Sequence, residues 1–242
     1  MWNIVRANST VIHVPGWIGN SKKSHAKVCS MKNSCALFIV LYAATVCAEP
    51  SVPPQTCTYE TYNWNTLQRR PVNIHTVTHP YAELTPEEID PQTGCTVCLE
   101  DQKLVQVGNL KPFLVCHKIA ESVQRTLENL LAAGETVLEV TAYRPGRTRN
   151  PLDADSNRTG FSNHAYGAAI DINRAMNGLY DNCMEFGPEC RLIQGGPWVP
   201  GNPGVLYRDA AIVRGMKQAG FKWGGEIAGK QKDFMHFSVS GY

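Results

Sequence analysis

Charge of one sign is what this chain most clearly lacks. Its 23 Lys and Arg face 21 Asp and Glu, leaving a formal net charge of +2 over 242 residues. With no long basic run either, no nucleic-acid footprint and no membrane-surface patch is expected. A long hydrophobic run is also missing: the stretch from Cys35 to Ala48 falls short of the roughly 20 apolar residues that a spanning helix needs. There is no second C-x-x-C to partner "CTVC" at Cys95–Cys98, which weighs against a zinc ribbon. No regular strand–helix alternation surrounds it, which weighs against a redox dithiol. Internal repeats are absent. What is present, 43% hydrophobic residues, suffices for one well-buried domain with at most a small appendage.

The apolar run itself reads "MKNSCALFIVLYAATVCAEP" from Met31. A Lys, an apolar stretch and a small residue at its exit, Ala48, form the three regions of a secretory signal. A buried strand or helix is the alternative, but Pro50, Pro53 and Pro54 follow at once. The expected organisation is therefore a signal peptide over 31–48, with residues 1–30 an untranslated or non-native extension before a true start at Met31. A Pro-rich tether covers 49–56, and a domain follows in two parts, an N-terminal part 57–134 and a C-terminal part 135–242. An exported protein, in the periplasm or outside the cell, follows, with no stable membrane span once the signal is cleaved. Removing the leader leaves Cys57, Cys95, Cys98, Cys116, Cys183 and Cys190, an even set that reads as three disulfides. Cys183 and Cys190 flank a Gly-Pro loop and are the expected local pair.

Along the mature chain, "RPVNIHTVT" (70–78) alternates like an exposed strand. "LTPEEID" offers Thr85 as N-cap, Pro86 at the first helical position and Glu88 to close a capping box. Gln102–Val107 reads as a strand. A helix begins near His117, with Ile119, Val123, Leu127, Leu130 and Leu131 on one face and Gly134 past its end. Thr136–Arg144 reads as a β-branched strand, the residues after it as a polar loop, and "GAAIDI" (167–172) as a further strand. A second helix spans Asp209–Ala219, with Ile212, Val213, Met216 and Ala219 inward and Gly220 ending it. "FKWGG" and "DFMHFSVS" supply the last strands. The fold class is α+β, a mainly antiparallel sheet flanked by helices and braced by disulfides.

Alternation on "GAAIDI" puts Ile170 and Ile172 on one face, and Ala169 and Asp171 on the other. A carboxylate on so apolar a strand is costly to bury without a partner. On the last strand Phe234, His236 and Ser238 share a face, and His164 lies in the loop before Asp171. Two imidazoles and one carboxylate suit an open tetrahedral zinc site. Each residue also has a plainer reading: Asp171 a hydrogen-bond acceptor, Asp233 a turn residue, Arg144 a solvated arginine beside Arg147 and Arg149. His75, His79 and His117 read as core or surface residues, and Trp198 and Trp223 as packing.

The pattern S-x-H-x-x-G-x-A-x-D at Ser162, His164, Gly167, Ala169 and Asp171, followed by D-x-x-H at Asp233 and His236, resembles the zinc D-alanyl-D-alanine carboxypeptidase and L-alanyl-D-glutamate endopeptidase family. "GFKWGGEI" is similar to a segment of its endolysin-like branch, and the likeness runs from about Glu135 to the C-terminus. The resemblance implies a hedgehog-type zinc peptidase fold and one Zn2+ per chain, held by His164, Asp171 and His236. Asp233 would be the general base and Arg144 the oxyanion or carboxylate partner, with Ser162 and Glu226 toward the substrate. Pro145 stands where the family has serine, and Glu226 where many relatives have Asp. The implied function is hydrolysis of a peptide bond in the peptidoglycan stem peptide by a monomer. The alternatives are a non-catalytic wall-binding or signalling module of the same fold, and a disulfide-exchange protein using Cys95 and Cys98.

Overall fold

The computed structural model describes residues 53–241. The expected extension, the signal peptide and the first part of the tether lie outside the described residues. The element order is β1 (Thr56–Asn65), β2 (Arg70–Pro80), β3 (Gln102–Val105), β4 (Phe113–Cys116), α1 (His117–Ala132), β5 (Val140–Thr141), β6 (Gly146–Leu152), β7 (Arg158–Phe161), β8 (Ala169–Ile172), β9 (Leu179–Asp181), β10 (Arg191–Gln194), α2 (Ala211–Gln218), β11 (Lys222–Trp223), β12 (Gln231–Asp233) and β13 (His236–Ser238). They form sheets in the orders β2-β1-β6-β7, β11-β13-β8-β5, β10-β9-β12 and β3-β4. Pairing is antiparallel except between β1 and β6. The fold is thus α+β and mainly antiparallel, as its composition predicts. No helix among the described residues is long and apolar enough to cross a membrane.

One core gathers α1, α2 and the inner face of the β8–β13 sheet. Val123, Leu127, Val213, Met216, Ile170, Ile172 and Phe237 are each fully buried in it. Each such side chain contributes about 1.5–3 kcal/mol relative to an exposed one. The helical face expected for α1 is the buried one, with Ile119 and Leu131 at its margin. Gly134 follows it with φ +84°, the left-handed backbone a helix end requires. Ile170 and Ile172 enter this core, so the alternating Asp171 points away from it.

Three expectations change. Thr136–Arg144 contributes only the two-residue β5, because the Leu138 and Glu139 amides donate to Asn173 Oδ1 (2.7 and 3.3 Å) instead of joining a ladder. The supposed polar loop after Arg144 is β6 and β7. "DFMHFSVS" is two strands in two sheets, with Phe234 and Met235 crossing between them. Phe234 therefore leaves the His236 face and stacks on Trp198, with ring centroids 4.2 Å apart.

Among the described residues three disulfides brace the fold: Cys57–Cys98, Cys95–Cys116 and the expected Cys183–Cys190. Cys95 and Cys98 take different partners, so "CTVC" is structural and the disulfide-exchange reading loses its dithiol. Cys57, His79 and Glu88 also lie close enough to suggest a metal, but the Cys57 sulfur is spent in its disulfide. What remains is a buried carboxylate with a full set of donors. The "LTPEEID" segment folds as one 3-10 turn, Pro86–Glu88. Glu88 accepts from the Thr85 amide and hydroxyl at 2.8 Å each, from Tyr59 Oη–H at 2.7 Å, and faces His79 Nε2 at 2.9 Å.

Burial alone would raise the Glu88 pKa, but the hydrogen bonds from Thr85, Tyr59 and His79 bring it from 4.5 down to about 2. A pKa depressed on folding stabilises above the unfolded value and loses that contribution as pH falls from 4.5 toward 2, here roughly 3 kcal/mol. Urea unfolding at pH 7 and pH 3 should show that Glu88→Gln removes much of this acid sensitivity. An unchanged pH dependence would contradict it.

Candidate metal centre

His164 sits on a 3-10 turn, Asn163–Tyr166, entered from extended Ser162 and closed by Gly167 at φ 63°. The turn is tied on several sides. The Arg144 amide donates to His164 O at 3.0 Å, and the Cys116 amide to Gly167 O at 3.0 Å. The Asn163 side-chain amide reaches Gly241 O near the C-terminus. Asp171 and His236 are directly opposite each other across the β8–β13 ladder. All three residues are buried.

Their donor atoms converge. His164 Nε2 lies 3.1 Å from His236 Nδ1 and 3.1 Å from Asp171 Oδ1, and His236 Nδ1 lies 3.2 Å from Asp171 Oδ1. Four ligands in a tetrahedron at about 2.0 Å from zinc are roughly 3.3 Å apart, so the triangle matches one face of such a site. The protons agree. His164 Nδ1 lies 2.9 Å from Ala142 O, where Nδ1–H donates and leaves the Nε2 lone pair turned to the triangle. Burial brings the His164 pKa down to about 4 despite the opposing pull of Asp171, so the ring is neutral at pH 7. A divalent cation would engage all three donor atoms at once, and the residues present fit zinc.

Arg144 closes the other side of Asp171: its Nη1 donates to Oδ2 at 2.9 Å while Oδ1 faces the imidazoles. Burial alone would raise the Asp171 pKa, but His164, Arg144 and His236 together hold it well below the usual carboxylate range. Arg144 therefore orients a donor of the triangle, a role the sequence did not disclose, and still borders the cavity.

His164 and His236 open into a cavity of about 610 Å³. Ser162, Arg144 and Asp233 line it as well. Asp233 is the last residue of β12, paired with Leu179, rather than part of the turn that follows. Its backbone is gripped from behind by the "WGG" segment. Trp223 Nε1–H donates to Phe234 O at 2.8 Å, and a Cβ on Gly224 would collide with the Asp233 carbonyl. Trp223 and Trp198 are packing residues, as the sequence suggests. Glu226 does not join the site: it is absent from the cavity lining and pairs with Lys217 Nζ at 2.7 Å and Arg208 at 3.5 Å. The cavity also has a wall on β1, β6 and β7, including Tyr62, Trp64, Arg149 and Arg158. Sequence reading missed it, although the alternation of Tyr62 and Trp64 was a usable signal.

The small residues around His164 are packed closely against the protein itself. Ala165 and Ala168 are fully buried against the two disulfides of the N-terminal part. At Gly167 a Cβ would meet the Gln102 side chain and the Cys116 amide nitrogen, the latter at 2.6 Å, on a left-handed backbone. Gly167→Ala should therefore move the His164 turn, costing about 1–3 kcal/mol and weakening zinc affinity at least about tenfold. Competition with a chromophoric chelator measures this; wild-type affinity in the variant would refute it.

Residues 155–239, about a third of the chain, match a family model described as D-alanyl-D-alanine carboxypeptidase. No curated protein and no solved structure matches significantly. The matched segment contains His164, Asp171, Asp233 and His236, whereas Arg144 and the β1 and β6 parts of the wall lie before it. The similarity supports a peptidase in this part of the chain.

Proposed function

We propose that this chain is a zinc peptidase that hydrolyses a peptide bond in the peptidoglycan stem peptide, of the D-Ala-D-Ala carboxypeptidase or L-Ala-D-Glu endopeptidase type. The observation that carries the reading is the triangle of His164, Asp171 and His236 donors, with edges of 3.1–3.2 Å, set in a cavity that also presents Asp233 and Arg144. The family similarity over the same residues supports it. Three disulfides and the apolar segment after Met31 support export to the compartment where this substrate lies. The protein would act as a monomer holding one zinc.

Zinc bound by the three donors supplies Lewis acidity toward a carbonyl and lowers the pKa of water. The protein's own groups do the rest. The Asp233 carboxylate accepts the proton of the attacking water and returns it to the departing amine nitrogen. Arg144, held by Asp171 through one Nη, offers its remaining donors to the carbonyl oxygen as negative charge grows there. Burial of Asp171, His164 and His236 keeps their orientation fixed throughout.

Asp233→Asn should lower kcat by about 10²–10⁴ while zinc content stays at wild type. Muropeptide digestion with product masses gives the rate and names the bond. A variant rate within about twofold of wild type would remove Asp233 from the mechanism, whereas zinc-loaded wild type that cleaves nothing would leave a binding module as the better reading.

A further inference from the structure

We infer that Trp198 is a positioning residue for Asp233: stacked on Phe234, it fixes a carboxylate carried by one sheet against a metal centre carried by another. The inference rests on the peptidase reading and deepens it by naming what sets the base at its distance from the metal centre.

The site is assembled from two sheets. Asp171 and His236 lie on β8 and β13, neighbours in the order β11-β13-β8-β5. Asp233 ends β12, which belongs to the order β10-β9-β12. Each side is pinned through the backbone. The Phe234 amide donates to Gly178 O at 3.2 Å, and the Ile172 amide to Met235 O at 2.9 Å. Between these anchors the chain crosses from sheet to sheet at Phe234. The placement of that one residue therefore decides where Asp233 stands relative to His236. An error of about 1 Å in a reacting group can cost on the order of 10²-fold in rate.

Phe234 is 4% exposed, and its ring is enclosed by those of Tyr180, Phe186, Trp198 and Trp223. Tyr180 comes from β9, in the sheet of the base, and Trp223 from β11, in the sheet of the two ligands. Trp198 lies nearly parallel to Phe234, with an interplanar angle of 7°. It is itself held at two points: its amide donates to Tyr180 Oη at 2.7 Å, and its Nε1–H to Leu206 O at 2.6 Å. Phe186, in the loop closed by Cys183–Cys190, packs edge-to-face on Trp198 with centroids 4.6 Å apart. So close-packed a cluster transmits a displacement rather than absorbing it. None of these rings borders the cavity, so their effect on the reaction runs through Asp233 and not through contact with substrate.

The test uses the zinc-loaded full chain and synthetic stem-type peptides. Trp198→Ala should lower kcat about tenfold or more, with KM within about twofold and zinc affinity within about threefold of wild type. Trp198→Phe keeps a stacking ring and should bring kcat back to within about threefold. In an Asp233→Asn background the base is already gone, so Trp198→Ala should change the remaining rate by less than about twofold. Phe186→Ala truncates a side chain that is 43% exposed and gives the same readout if Trp198→Ala fails to fold. A wild-type kcat in the folded variant overturns the positioning role alone, as do equal losses with and without Asp233, or zinc lost in step with kcat. Zinc-loaded wild type that cleaves no stem-type peptide overturns the peptidase reading and this inference with it.

Discussion

The site depends on how one buried carboxylate is shared. Asp171 turns Oδ1 toward two imidazoles and Oδ2 toward Arg144, all within 3.2 Å. Burying an ionised carboxylate costs several kcal/mol unless charge and hydrogen bonds compensate it. Arg144 provides part of that compensation from one side, and a cation between His164 and His236 would provide it from the other. Since Ile170 and Ile172 anchor the same strand in the core, Asp171 cannot turn away without dislodging fully buried side chains.

The surrounding architecture serves that geometry. The β8–β13 ladder sets Asp171 opposite His236 by register alone. His164 comes from a turn that needs more support: Gly167 in left-handed conformation, Ala168 against the Cys95–Cys116 disulfide, and the Ala142 carbonyl fixing the imidazole tautomer. The N-terminal part is thus joined to the site, with a disulfide packed behind one turn and the β1 strand completing a cavity wall. Disulfide bracing is consistent with this dependence.

Much of this was legible in residue patterns. Apolar periodicity disclosed α1 and α2, and Gly134 and Gly220 their ends. Type, order and alternation brought His164, Asp171, Asp233 and His236 forward before any geometry. Other features were hidden for physical reasons. β6 and β7 look like a polar loop because one side of them meets the cavity rather than the core. Val140–Thr141 is all that remains of a β-branched run because a distant side chain, Asn173, takes its amides. Glu226 suggested a substrate contact by position, yet its carboxylate is held by Lys217 and Arg208. Motif spacing does not reveal such long-range competition.

The most direct test is elemental analysis of the purified protein, wild type beside His236→Ala, with melting curves to show that the variant is folded. The geometry predicts about one zinc per wild-type chain, and loss of most of that metal when one of three ligands is removed. Wild-type protein that remains metal-free after zinc addition and dialysis would contradict the account, as would a folded His236→Ala variant that keeps its full complement.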